Sequence, residues 1–280
     1  MLLSIVIPAY NEEKNISACL AELRSVLVPL GIPYEAIVVN DNSRDETEAV
    51  IEAEMKEDLA IRLVNRVPPG GFGRAIRSGL DAVRGEIVIV YMADLSDDAE
   101  DVVKYYRKIV DEGFDCVYGS RFVKGSVVKN YPRAKLLLNR LVNILIQWMF
   151  WTKNNDLTNA FKAYRTHVIQ ECGPYRASHF NLTLEMSLNP LIRRYRIAQL
   201  PINWSGRKWG TSNLRLTAMG RRYLATLLSL YVQQILISDD LLAERRSQEN
   251  HRRTINPNQN ASESRREENA PTQNKSTTKV

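Results

Sequence analysis

The stretch VIVYMADLSDDAED, residues 88–101, decides the fold because an apolar strand-like run meets a cluster of carboxylates. The β-branched and aromatic residues of its first half are typical of a buried strand, and the strand pattern stops before Asp94. Acidic residues in the first turn of the next helix are favoured by the helix dipole. That explanation covers Asp97, Asp98, Glu100 and Asp101. It does not cover Asp94, so the sequence predicts a functional carboxylate at a strand end.

Strand-like and helical segments alternate from residue 3 to residue 121, which is typical of a parallel sheet with crossover helices. The predicted strands are LSIVIP (3–8), EAIVVN (35–40), IRLVN (61–65), EIVIVYM (86–92) and DCVYGS (115–120). Polar residues follow each of them, namely Tyr10-Asn11-Glu12, Asp41-Asn42-Ser43, Asn65-Arg66, Asp94 and Arg121. The carboxyl ends of parallel strands meet at one edge of a sheet, so we expect these residues to line one crevice.

The pattern beyond residue 121 consists of longer helices, one strand-like run IAQLPINW (197–204) and a basic loop SGRKWGTSN (205–213). We therefore predict an α/β domain over residues 1–215 and an amphipathic helix over 216–243. The remaining segment, 244–280, has little apolar content, which predicts a disordered polar tail.

Composition narrows the class of protein. The chain of 280 residues is 44% apolar and 25% charged, as in globular proteins. Its three cysteines form no C-x-x-C pair, which argues against a disulfide framework or a thiolate zinc site. The N-terminus lacks the pattern of a secretory signal, so we expect a cytoplasmic protein. The formal charge of +6 suits anionic partners, but the basic tail has no aromatic residues and mixes Arg with Glu, so nucleic acid is not expected.

Two helical segments bear on membrane contact. Over residues 134–151 the polar side chains form one narrow stripe on an otherwise apolar helix; they are Lys135, Asn139, Arg140, Asn143 and Gln147. Such a helix belongs either in the protein core or at a bilayer interface, where Trp148 and Trp151 are well suited. The second segment, 223–237, is shorter than the roughly 20 residues that span a bilayer. The sequence thus favours peripheral attachment over insertion.

Three further motifs have structural and functional interpretations. In PAYNEEKN (8–15), Tyr10 is placed to stack on a base. In VVNDNSRDET (38–47), Asp41 suits a turn, or it accepts a hydrogen bond from the imide N–H of uracil or guanine. The glycines of PPGGFGRAIRSGL (68–80) suggest a phosphate-binding loop, although the complete dinucleotide and P-loop motifs are missing.

These motifs occur in a fixed order together with YMADLSDD, GSRFVKG, NDLTNAFKAYR and PINWSGRKWGTSNL, over about residues 3 to 215. In this the chain resembles the family-2 glycosyltransferases, and within them the dolichol-phosphate mannose synthase group. The resemblance implies a GT-A, Rossmann-like fold and an inverting transfer from a GDP- or UDP-sugar. It also implies Mg²⁺ or Mn²⁺ as cofactor and a polyprenyl-phosphate acceptor at the cytosolic face of a membrane.

The resemblance also implies roles for individual residues. The nucleoside-binding positions of the family match Pro8, Ala9, Tyr10, Glu12, Val39 and Asp41. Asp94 matches the second Asp of the D-x-D metal motif, with Ala93 as its middle residue, and Asp156 matches the Asp near the transferred sugar. Arg121 and Arg207 match basic residues around the donor diphosphate and the acceptor phosphate. The implied catalytic set is Asp94, Asp156, Arg121 and Arg207.

Three positions depart from the family pattern. Met92 replaces the first Asp of D-x-D, which leaves the metal to Asp94 and the donor phosphates, with Asp97 as a possible further ligand. Asn213 stands where the family often has Lys, and Asn40 where it often has Asp. Two alternatives stay open: a hydroxyl acceptor on a saccharide or protein, with Asp156 as the first candidate base, and a nucleotide-sugar-binding protein without catalysis.

Overall fold

The computed structural model describes residues 1–206 and 216–255. Its strands are β1 (Leu3–Ala9), β2 (Tyr34–Asn40), β3 (Ile61–Asn65), β4 (Ile87–Val90), β5 (Cys116–Ser120), β6 (Val127–Lys129), β7 (Lys162–Arg165), β8 (Ile197–Pro201) and β9 (Asn203–Ser205). Its helices are α1 (Ile16–Leu27), α2 (Thr47–Glu57), α3 (Phe72–Asp81), α4 (Ala99–Val110), α5 (Arg133–Phe150), α6 (Thr166–Glu171), α7 (Leu182–Ile192) and α8 (Leu216–Ile255).

Seven strands form one sheet in the order β3-β2-β1-β4-β7-β5-β8. β1 pairs in parallel with β2 and β4, β3 pairs in parallel with β2, and β8 runs parallel to β5. Apolar side chains of the central strands are fully buried against the helices, as at Ile5, Val38 and Ile89. The predicted α/β class with a mainly parallel sheet and crossover helices is confirmed.

The second half of the chain contains more strands than the sequence predicted. β7 lies antiparallel between β4 and β5, although its four residues, KAYR, begin and end with a basic residue. The predicted strand IAQLPINW divides at Ile202 into β8 and β9, and β9 pairs with β6 in a separate two-stranded sheet. The prediction of one further strand beyond residue 121 was therefore wrong, because these short strands are stabilised by their neighbours rather than by a local apolar pattern.

Residues 1–232 form one compact unit, and a second begins at Gln233 within α8. α8 continues to Ile255, so residues 244–255, which we predicted to belong to the disordered tail, are helical. Their Glu, Arg and Gln residues are good helix formers even without an apolar face, which the prediction from apolar content overlooked. Residues 256–280 lie outside the described residues. Within the described part, no helix is both long and apolar enough to cross a membrane.

Candidate active site

Asp41 organises the edge of the sheet beyond β2 and β3. Its carboxylate forms an ion pair with Arg66, which follows β3, and accepts a hydrogen bond of 2.6 Å from the backbone N–H of Gly71. Arg66 is held in turn by Ser78, at 3.0 Å from its Nε. Asp41 thus does more than close a turn, because it ties three segments of the chain together.

The glycine-rich loop is packed tightly against the segment before α7. Gly71 has φ = 151°, and a Cβ there would lie 2.4 Å from the carbonyl oxygen of Ser178, so only glycine fits. Gly73 donates its backbone N–H to the same carbonyl at 3.1 Å. Since the Gly71 N–H is already used by Asp41, the loop in this state presents fewer donors to a phosphate than its sequence suggested.

The six predicted nucleoside-binding residues lie at the ends of β1 and β2, but they differ in accessibility. Tyr10 is 39% exposed and follows directly after β1, whereas Ala9 and Val39 are buried. Pro8 and Val39 are neighbours across the β1–β2 pair. The Glu12 side chain is buried and accepts a hydrogen bond of 2.6 Å from Asn15. Of this set, Tyr10 offers the ring surface that a base needs.

The carboxylates of the opening stretch divide as predicted except at Asp97, which precedes the cap of α4 and is buried with Asp94 instead of lying in the first helical turn. Asp98 caps α4 by accepting the Glu100 N–H at 2.9 Å, and Asp101 pairs with Lys104 at 2.6 Å, so both have structural roles. Asp94 and Asp97 are both buried beyond the end of β4. Burial raises the pKa of Asp97 to about 8, and repulsion by Asp94 adds to this effect while Arg121 opposes it. The two carboxylates therefore share one electrostatic environment.

This pair is the candidate metal centre. Among the described residues, no three His, Cys, Asp or Glu side chains surround a common point. Mg²⁺ needs only one or two protein carboxylates when substrate phosphates provide the other ligands. One Asp97 oxygen, Oδ2, is buried and has no hydrogen-bond partner among the described residues, which leaves it available to a cation. Asp94 and Asp97 thus fit a divalent ion.

Arg121 and Asp156 form a buried ion pair at the end of β5. The guanidinium donates from Nε and Nη2 to the two carboxylate oxygens, each at 2.7 Å, and the Arg121 backbone N–H donates to Asp156 at 3.0 Å. Burial by itself would lower the pKa of Arg121, but Asp156 raises it above its ordinary value. Because both Asp156 oxygens accept bonds from Arg121, Asp156 is poorly placed to act as a general base.

Lys162 lies beneath the loop that carries Asp156. Its ammonium donates to the carbonyl oxygen of Asn159, and to that of Leu157 at 3.4 Å. Burial lowers the pKa of Lys162 to about 7, an effect that Asp156 opposes and Arg121 reinforces. The lysine therefore fixes both ends of a short segment beside the buried ion pair.

The polar stripe of α5 faces this same loop. Asn143 is fully buried; it donates to Thr158 at 3.0 Å and accepts the Leu157 N–H at 2.7 Å. Asn139 accepts from Thr158 at 2.8 Å. The apolar side chains point outward and are exposed: Leu137, Leu138, Leu141, Ile144, Leu145, Trp148 and Trp151. The alternative that α5 is buried in the core is therefore wrong, since only Asn143, Ile146 and Phe150 are buried.

The remaining predicted site residues are either buried near Asp94 or lie outside the described residues. Ala93 is buried beside Asp94, and Met92 is partly buried. Arg207 and Asn213 lie outside the described residues, so their predicted phosphate contacts stay predictions. The sequence named Arg66 only among the strand-end residues and Gly71 only within the glycine-rich loop, and it did not single out Lys162. Arg66 had a signal, since it follows a predicted strand, whereas Lys162 had only its place in the NDLTNAFKAYR motif.

Comparisons with known proteins identify the family of the chain. The model of the family described as Glycosyl transferase family 2 matches residues 4–173. The chain belongs to glycosyl transferase family 2. Its matched region includes all five strands that the sequence predicted in the first half, together with Asp41, Asp94, Arg121 and Asp156.

Three similar curated proteins are named for polyprenyl-linked sugars. The chain is 25% identical to the polyprenol monophosphomannose synthase of Mycolicibacterium smegmatis over 215 residues, covering 75% of this chain and 80% of the relative. It is 27% identical to the dolichol-phosphate mannosyltransferase of Pyrococcus furiosus over 220 residues, covering 77% of this chain and 60% of the relative. A third relative is the undecaprenyl-phosphate 4-deoxy-4-formamido-L-arabinose transferase of Shewanella sediminis, 32% identical, covering 60% of this chain and 49% of the relative. The recognised dolichol-phosphate mannose synthase-like character is thereby confirmed.

Solved structures confirm the GT-A fold. Glucosyl-3-phosphoglycerate synthase from Mycobacterium tuberculosis, in complex with Mn²⁺, UDP-glucose and phosphoglyceric acid, superposes with a TM-score of 0.61 at 23% identity. The superposition covers 82% of this chain and 79% of that one. The complex of the same enzyme with Mg²⁺ and UDP gives the same TM-score and identity.

Proposed function

We propose that this glycosyltransferase transfers a hexose, with inversion, from a GDP- or UDP-sugar to a polyprenyl phosphate. The observation that carries the proposal is the orientation of α5. Its polar stripe binds the loop of Asp156 through Asn143, while its apolar face is exposed to the outside. An acceptor with a charged head and an isoprenoid chain has the same two-sided chemistry. A saccharide or protein hydroxyl acceptor would have no use for the exposed leucines and tryptophans.

The donor fits the edge formed by β1, β2 and β4. Tyr10 offers an exposed ring for the base, and Asp41 is the acceptor for its imide N–H. Asp41 is engaged with Arg66 and Gly71, so donor binding has to rearrange or share these contacts. The complex of the structural neighbour with UDP-glucose supports a nucleotide-sugar donor.

Arg121 has the chemistry to receive negative charge from both reactants. Its guanidinium is fixed in direction by Asp156, and a fixed cation stabilises developing charge without reorganisation. A phosphate acceptor is already anionic, so attack on the anomeric carbon from the face opposite the leaving group needs no strong base. The absence of a need for a base agrees with the structure, because Arg121 donates to both Asp156 oxygens.

Asp94 would hold Mg²⁺ or Mn²⁺ together with the donor phosphates. A bound divalent ion neutralises charge on the departing nucleoside diphosphate. Structures of the neighbouring synthase contain Mn²⁺ or Mg²⁺, which supports a divalent cofactor. Asp94→Ala should therefore reduce transfer to background while circular dichroism and melting temperature remain those of a folded protein. Full transfer by that variant would contradict the metal assignment.

The membrane contact is peripheral in this proposal, on the cytosolic face where nucleotide sugars are available. The exposed face of α5 would lie at the bilayer interface. No span is required, because the acceptor phosphate lies at headgroup level.

The deciding experiment is a transfer assay. Purified protein is incubated with Mn²⁺ or Mg²⁺, a panel of GDP- and UDP-sugars and a short polyprenyl phosphate, and the lipid fraction is analysed by mass spectrometry. We expect a new lipid-phosphate hexose with one donor. A parallel set of saccharide hydroxyl acceptors tests the alternative, and product there but none on lipid would overturn the proposed acceptor. Donor binding without any transfer would support the non-catalytic alternative that Met92 suggests.

A further inference from the structure

The carboxylate of Asp97 occupies the neighbourhood of residue 92, where the first Asp of the metal motif is missing. The backbone amide of Met92 interacts with the Asp97 carboxylate and stabilises its charged form. The Tyr91 hydroxyl donates to the Asp97 carbonyl oxygen at 2.9 Å, and residue 97 also forms a β-bridge with Trp204. Asp97 is thus fixed against the strand end from two sides.

The surroundings of Asp97 do not suit a purely structural carboxylate. The residue is 4% exposed, and its Oδ2 has no hydrogen-bond partner in the described part of the chain. A buried carboxylate oxygen without a hydrogen bond retains the full cost of its desolvation. Its neighbour Asp94 adds repulsion, and the nearby Arg121 is committed to Asp156. A cation bound here would satisfy the free Oδ2 oxygen of Asp97 and offset the repulsion between Asp97 and Asp94.

We propose that Asp97 supplies the second carboxylate of the divalent-metal site and so replaces the first Asp of the D-x-D motif. The inference rests on the proposed function and deepens it, because it assigns the metal to Asp94 and Asp97 rather than to Asp94 and the donor phosphates alone. It also explains how the chain tolerates Met92, since the Asp97 carboxylate, from the segment between β4 and α4, approaches the same backbone position.

The test measures metal binding directly. Mn²⁺ is titrated into the full chain in the presence of UDP or GDP, and free Mn²⁺ is followed by electron paramagnetic resonance. Asp97→Asn should weaken Mn²⁺ binding by about tenfold or more, the scale at which changes around metal ligands act. The matched control is Glu100→Gln, which removes the same charge from an exposed position in the same acidic run and should leave binding unchanged.

A second readout does not depend on nucleotide or activity. In EDTA, Asp97→Asn replaces a buried acid by a neutral amide of similar size, so its melting temperature should equal or exceed that of the wild type. Added Mn²⁺ should raise the melting temperature of the wild type and raise that of the variant less. Adding Met92→Asp to Asp97→Asn should restore Mn²⁺ binding, because it returns a carboxylate to the motif position.

The outcomes separate this inference from the proposed function. Equal Mn²⁺ affinity for wild type and Asp97→Asn, together with loss in Asp94→Asn, would overturn the role of Asp97 and leave the metal at Asp94. No Mn²⁺ binding by the wild type would overturn both. Should Asp97→Asn fail to fold, Asp97→Ser provides the same comparison with a smaller side chain.

Discussion

At the scale of single residues, Asp156 and Arg121 depend on each other for stability. Asp156→Asn removes the charge opposite a buried guanidinium, and breaking such a pair from one side costs roughly 3–5 kcal/mol. We expect the free energy of unfolding in urea to fall by about that amount. The double variant Arg121→Met/Asp156→Leu should lose less than the sum of the single changes. If Asp156→Asn kept its unfolding free energy but lost transfer activity, Asp156 would instead be a general base in the reaction.

Lys162 should make stability depend on pH. Its pKa is lowered to about 7 in the folded protein and is about 10.4 when unfolded. Between these values the unfolded chain binds the proton that the folded protein has lost, so this group makes stability rise with pH over that window. Below pH 7 both states are protonated and the slope disappears.

Lys162→Met should remove this rise. The free energy of unfolding of the variant should therefore exceed that of the wild type by the largest amount near pH 7 and by the smallest near pH 10. Urea unfolding at several pH values measures the difference. Lys56→Met, at an exposed position, is the matched control and should keep the slope of the wild type. If the unfolding free energies of the wild type and Lys162→Met changed with pH in parallel, the lowered pKa of the buried Lys162 would be contradicted.

At the scale of elements, α5 is an amphipathic helix whose polar side faces the protein and whose apolar side is exposed. Trp148 and Trp151 are 72% and 87% exposed, so Trp148→Ser/Trp151→Ser should not lower the melting temperature. Interfacial tryptophans contribute to binding at a bilayer surface, so co-sedimentation with liposomes should weaken several-fold. Val28→Ser/Leu59→Ser removes exposed apolar residues outside α5, 59% and 94% exposed, and should leave co-sedimentation unchanged. Equal losses in both variants would show that the contact is not specific to α5.

The elements also show which features a sequence reveals. The strands β1 to β5 were predictable because each contains β-branched or aromatic residues, and the positions of Asp41, Asp94 and Arg121 followed from the strand ends. β7 was missed because four residues with charged ends carry no period-2 apolar pattern.

The contacts between distant residues had no local signal. The Arg121–Asp156 pair joins residues 35 positions apart, and the Asp41–Arg66 pair joins residues 25 apart. The direction in which α5 faces was also open, because a polar stripe predicts one contact surface but does not say what meets the apolar side.

At the scale of the whole molecule, charge and apolar surface should act together in membrane binding. The formal charge of +6 attracts an anionic bilayer, and salt screens this attraction as the Debye length falls from about 10 Å at 0.1 M to about 3 Å at 1 M. Binding to anionic vesicles should therefore weaken with salt. The part that persists at high salt should be the part lost in Trp148→Ser/Trp151→Ser.

Truncation after residue 255 tests which part of the chain provides the electrostatic attraction to the membrane. Only +1 of the formal +6 lies in residues 256–280, whose basic and acidic residues nearly balance. The buried core cluster draws on residues 3 to 202, so the truncated protein should keep its melting temperature. Its vesicle affinity and salt dependence, measured by co-sedimentation, should match those of the full chain. Loss of vesicle binding on truncation would place the membrane contact in the last 25 residues. α5 would then serve the acceptor chain rather than the bilayer.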